Sequence, residues 1–80
     1  QGRVRAATEA FVRAVGLDPL SAEAHLRLGF TAVRIGDFER AARALESYIR
    51  LDPEGEANEE ARVALSAVRT LSHILASERV

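Results

Sequence analysis

The sequence predicts an all-α fold, four helices packed as antiparallel hairpins, on three observations. The tripeptide Leu17-Asp18-Pro19 returns as Leu51-Asp52-Pro53, a spacing of 53 − 19 = 34 residues, and a period of that length points to stacked helical hairpins. The echo extends upstream, because Ala7-x3-Phe11 precedes Pro19 as Ala41-x3-Leu45 precedes Pro53 (19 − 7 = 53 − 41 = 12). Apolar residues recur three and four apart in the stretches between, which is the spacing of one helix face.

Helix 1 is expected from about Gly2 to Gly16, with Ala7, Phe11 and Ala14 on one face. Leu17-Asp18-Pro19 closes it, since a residue before proline is pushed out of the helical region. Ser21 caps helix 2, about Ala22 to Ile35, which is apolar on two faces: Ala24, Leu28, Ala32 and Ile35 on one, Leu26, Phe30 and Val33 on the other. Such a helix has neighbours on both sides. Gly36 ends it in the left-handed conformation, and Asp37 accepts the free amides that open helix 3. Helix 3, about Phe38 to Leu51, turns Ala41, Ala42, Leu45, Tyr48 and Ile49 inward. Gly29 and Ala41 are expected where helices 2 and 3 cross, because larger side chains would force the axes beyond ~8–10 Å.

After Pro53 the period fails: Arg62-Val63 stands one period beyond Leu28-Gly29, and Thr70 one period beyond Gly36. The last segment reads as one long helix, about Ala57 to Ser77. Its seam is Ala57, Ala61, Ala64, Val68, Leu71 and Leu75, opposite a polar strip of Asn58, Arg62, Ser66, Arg69, His73 and Ser77. Leu65, Ala67 and Ile74 widen the apolar face beyond what one neighbouring helix covers.

Glu9–Arg13, Glu23–Arg27, Glu39–Arg43 and Glu46–Arg50 each place glutamate four residues before arginine, an orientation that supports a helix by about 0.2–0.5 kcal/mol. Asp52, Glu54, Glu56, Glu59 and Glu60 gather around the start of the last helix, where unpaired amides favour negative charge. An Arg-rich partner is the other use for that run.

Composition removes several functions. The chain has 80 residues and a net charge of −1, and its basic residues are all arginine, scattered rather than blocked, so nothing draws it to nucleic acid. All-arginine basicity with abundant alanine fits a GC-rich, bacterial genome and decides nothing about function. Cysteine is absent, which excludes disulfides, thiolate catalysis and Cys-based zinc sites in this segment. Nucleophilic catalysis needs an activated side chain beside an oriented base, and no pattern links the serines to His25 or His73. Two histidines without close spacing make no metal site, and no glycine-rich loop opens a helix to cradle phosphate. No catalysis, cofactor or metal is expected, and no stretch approaches the ~20 apolar residues of a membrane span. The compartment is not legible, although a cytoplasmic setting is favoured.

Leu28, Gly29, Gly36, Ala41 and Pro53, taken at their spacing together with His25-x2-Leu28-Gly29-x2-Ala32, resemble the tetratricopeptide repeat. The resemblance covers roughly residues 2 to 55. His25 stands for the usual Trp or Tyr, Ala32 for Tyr and Leu45 for Phe, so the core is lighter than the family norm. The implied architecture is a right-handed superhelix of hairpins in a single domain, 1–80: residues 1–21 form the second helix of a truncated repeat, 22–55 a complete repeat, and 56–80 a capping helix. Gly2 aligns with Gly36 (36 − 2 = 34), so the first hairpin lacks its leading helix, as in a piece of a longer array.

In tetratricopeptide repeats the first helix of each hairpin lines a concave groove that takes a peptide or helix of a partner protein. The resemblance assigns that lining to Glu23, Leu26, Arg27, Phe30, Val33 and Arg34, extended by Glu60, Ala64 and Ala67. It implies a protein-interaction scaffold whose partner is apolar, with acidic side chains for Arg27 and Arg34. Leu26 and Phe30 stand where some relatives carry polar residues that grip a C-terminal carboxylate, so that activity is not expected. Self-association is the competing expectation. An orphan helix 1 would bare Val4, Phe11, Val12 and Val15, which could pair with Leu71 and Ile74 of the last helix in a symmetric or swapped homodimer.

Overall fold

A computed structural model of the chain describes residues 2–78. They form four helices: α1 (Gly2–Leu17), α2 (Ala22–Arg34), α3 (Phe38–Leu51) and α4 (Asn58–Glu78). Packing follows chain order, α1 on α2, α2 on α3 and α3 on α4, which is the antiparallel-hairpin architecture expected.

The period is visible in the backbone hydrogen bonds. At the end of α1 the Asp18 N–H donates to the Ala14 carbonyl at 2.9 Å and the Ser21 N–H to the Asp18 carbonyl at 3.1 Å; at the end of α3 Asp52 donates to Tyr48 at 2.9 Å and Gly55 to Asp52 at 3.0 Å. Each donor and acceptor in the second pair stands 34 residues after its counterpart (14 + 34 = 48; 21 + 34 = 55). The copies then diverge for a chemical reason. Ser21 caps α2 by accepting the Ala24 N–H, whereas its counterpart Gly55 has no side chain. Helix α4 therefore starts at Asn58 instead of at 22 + 34 = 56, after Asn58 has tied the turn by donating its Nδ2 to the Asp52 carbonyl at 3.1 Å.

Between α2 and α3 the predicted punctuation is present. Gly36 has φ +81°, the Asp37 N–H reaches back to the Ala32 carbonyl at 2.9 Å, and the Gly36 N–H reaches Val33 at 3.0 Å. These bonds make a Schellman stop. The Asp37 carboxylate accepts the Arg40 N–H and opens α3. Gly36→Ala is expected to cost about 1–2 kcal/mol, the strain of an L side chain at positive φ. A lower urea midpoint at unchanged slope is the check.

The core lies where α2, α3 and α4 meet: Ala32; Ala41, Leu45 and Tyr48; Ala61, Leu65 and Val68. Leu45 is fully buried against Gly29, where an added Cβ would stand 2.6 Å from Leu45 Cδ2. Helix α1 joins the rest of the fold chiefly through α2. Its most buried residue is polar: Thr8 is 1% exposed, with its hydroxyl satisfied by donating to the Val4 carbonyl at 2.8 Å. The repeated leucines also part company, since Leu51 is half-buried while Leu17 is 88% exposed.

Two sequence expectations are refined here. Val4, Phe11, Val12 and Val15, expected as a bare flank, are all half-buried, and the residues α1 presents to solvent, besides Leu17 at its end, are Arg3, Arg5, Glu9 and Arg13 with small neighbours. Of the four glutamate–arginine pairs, Glu23–Arg27 alone closes among the described residues, at 2.9 Å. Glu46 crosses to Arg69 of α4 instead of bonding Arg50 along its own helix, and Arg50 turns to the Ser47 hydroxyl.

Candidate functional site

Helix α2 shows solvent a surface that the core does not absorb. Its row Ala22, Leu26 and Phe30, spaced by one helical turn, is half-buried against the core, and the adjacent row Glu23, Arg27 and Thr31 faces outward. A cleft of ≈ 620 Å³ runs over both rows. Phe11 of α1 bounds it, together with Tyr48 and Asp52 from the end of α3 and Glu56 and Ala57 from the following loop. Each wall has a local cause. Ser21 fixes the start of α2, the repeated turn carries Asp52, and the Gly55 and Asn58 hydrogen bonds to the Asp52 carbonyl hold the loop that presents Glu56.

The lining of the cleft is part apolar and part charged. Its floor is aromatic and aliphatic, and its polar groups are Glu23, Arg27, Thr31, Asp52 and Glu56. Arg27 donates to Glu23 at 2.9 Å, and Thr31 bonds back to the Arg27 and Leu28 carbonyls. No nucleophile with an adjacent base is among them. His25 lies elsewhere, donating Nε2–H to the Pro19 carbonyl at 2.9 Å, and His73 is exposed. Among the described residues no group of three His, Cys, Asp or Glu side chains could hold a metal ion, and no helix is long and apolar enough to cross a membrane.

The structure brings together Glu23, Leu26, Arg27 and Phe30 from the expected groove lining. Val33 and Ala64 are half-buried on the core, while Arg34, Glu60 and Ala67 are exposed, and none of the five borders the cleft. Phe11, expected on a self-association face, joins the cleft. Leu71 and Ile74 are 44% and 47% exposed on α4. Asp52 and Glu56, read in the sequence as helix-start charge with an Arg-rich partner as the other use, were not placed in the groove lining, because an acidic run before a helix has a sufficient local explanation, yet both border the cleft. Tyr48 was read as core alone, and it is both core and cleft wall.

A second groove, ≈ 490 Å³ between α3 and α4, gathers Arg50, Arg62 and Arg69 over Ile49 and Leu65. Each guanidinium there already has a partner: Ser47, Asn58 and Glu46 respectively. Arg69 alone ties α4 to α3, while Arg50 and Arg62 bond within their own helices.

No curated protein and no solved structure matches the chain significantly. A family model described as tetratricopeptide repeat does match, over residues 1–56 and again over residues 31–70. The second match carries the pattern past Pro53 into α4. Four antiparallel helices, hydrogen bonds that recur at the repeat period and two overlapping matches have one explanation: the chain belongs to the tetratricopeptide-repeat family.

Proposed function

We propose that the cleft over α2 is a docking site for an apolar segment of a partner protein, and that the chain is a non-catalytic scaffold. Tetratricopeptide-repeat domains generally mediate protein–protein interaction. The single observation that carries the site assignment is the convergence of Phe11, Leu26, Phe30 and Tyr48 on one open cleft of ≈ 620 Å³. Phe30, half-buried against the core and lining the cleft with the buried Tyr48 and the half-buried Phe11, is the kind of aromatic anchor that dominates interface energies.

The test is a random peptide display library panned on the chain, with each selected peptide then titrated onto isotope-labelled protein. Resonances of Ala22, Leu26, Phe30 and Ala57 are expected to shift first, and Phe30→Ala is expected to weaken binding about tenfold at unchanged molecular mass. Peptides that bind Phe30→Ala as well as the parent, or that shift α4 alone, would move the site elsewhere.

Self-association has one observation in its favour. Val63, Leu71, Ile74 and Leu75 of α4 are 62%, 44%, 47% and 43% exposed, and the last three follow one another at helical spacing. Light scattering over a concentration series separates the readings. A dimer that Leu71→Glu dissociates supports pairing through α4, and a monomer throughout leaves the cleft as the interaction surface.

A further inference from the structure

We infer that the segment bound in this cleft is basic as well as apolar, carrying an arginine or lysine beside its apolar anchor. The inference rests on the reading of the cleft as a docking site, and it reverses the sign of the partner charge that Arg27 and Arg34 suggest in the sequence. Arg34 lies outside the cleft. Arg27 lies inside but is engaged, its Nε donating to Glu23 Oε2 at 2.9 Å, so that pair presents no net charge to a ligand. Asp52 and Glu56 are left on the opposite wall, and neither is paired with a cationic side chain among the described residues.

The surroundings reinforce that sign. Glu54, Glu59 and Glu60 are all exposed on the same loop and the first turn of α4, and fields of like charge add where the wall is of low dielectric. The acidic wall is also held in place. The Asp52 carbonyl receives the Gly55 N–H at 3.0 Å and Asn58 Nδ2 at 3.1 Å, and the Asp52 side chain is half-buried against Gly55. Carboxylates on an ordered loop beside an aromatic floor match a guanidinium, which can bond them and lay its plane on a ring. An acidic segment would meet like charge across the whole wall.

The experiment compares peptides selected from a random display library on the parent chain with those selected on Asp52→Asn/Glu56→Gln. Both substitutions are near-isosteric and leave the backbone bonds of the loop intact. On the parent, arginine and lysine are expected to be enriched over aspartate and glutamate among peptides that Phe30→Ala fails to bind. For one such peptide the double variant is expected to lose about tenfold in affinity. Raising the salt from about 0.05 M to 0.5 M is expected to weaken the parent several-fold and the double variant hardly at all. Peptides that need Phe30 but show no basic enrichment, or that keep their affinity on the double variant, overturn the charge assignment and leave the docking site standing. A library that yields no Phe30-dependent peptide overturns both.

Discussion

Leu45→Ala is expected to cost about 3–5 kcal/mol, and in that background Gly29→Ala is expected to change sign. For a chain of 80 residues the total stability is of the order of 4–12 kcal/mol, so the first substitution alone removes a large share. Leu45 is 0% exposed in the core cluster, and its neighbours Ala32, Ala41 and Ala61 are too short to close over the cavity it would leave. A Cβ on Gly29 would stand 2.6 Å from Leu45 Cδ2 and 2.8 Å from Cγ. With Leu45 present, that overlap costs about 1–3 kcal/mol and outweighs the ~1 kcal/mol that alanine gains over glycine inside a helix. Without the leucine's outer carbons the overlap disappears and the propensity gain remains. Urea titrations of the four proteins in the cycle measure the coupling, expected at about 1–3 kcal/mol. If Gly29→Ala stabilises both backgrounds equally, the crossing of α2 and α3 is wider than the structure has it.

That pair also shows what the sequence made legible. Leu45 and Gly29 were readable because their neighbours in space recur at fixed offsets in the chain, and the same regularity exposed Ser21, Gly36 and Asp37 as caps and stops. Thr8 was not readable, because a hydroxyl that bonds its own helix at Val4 looks the same in sequence as one that faces water. The Glu46–Arg69 pair was hidden for a different reason. Its members lie 23 residues apart, and the nearer candidate Arg50 satisfies every local rule. The candidate site suffered most from this. Position in the repeat located Leu26 and Phe30, but the charge of the cleft depends on Arg27 closing on Glu23 while Asp52 and Glu56 stay unpaired. Ion-pair choice among exposed side chains is decided by fractions of a kcal/mol, below what spacing can resolve.

Tyr48 joins the core to the cleft, and its two substitutions are expected to separate the contributions. The side chain is 4% exposed, belongs to the central cluster and lines the cleft. Tyr48→Ala removes a buried ring and is expected to cost about 3–5 kcal/mol, as large aromatic truncations do. Tyr48→Phe keeps the ring and is expected to stay within about 1 kcal/mol of the parent, since the net value of one hydroxyl is of that order. The hydroxyl has a second consequence, because a Cβ on Gly55 would overlap it and would also stand 2.6 Å from Asp52 Oδ2. Gly55→Ala is therefore expected to be milder in the Tyr48→Phe background, where only the Asp52 carboxylate has to move. Thermal melts of the four proteins read this directly. Equal costs for Tyr48→Phe and Tyr48→Ala would mean that the hydroxyl and its surroundings, rather than the buried ring, hold the end of α3 in place. The acidic wall would then owe its position to a polar contact that salt or ligand can alter, whereas the expected inequality makes it a fixed extension of the core.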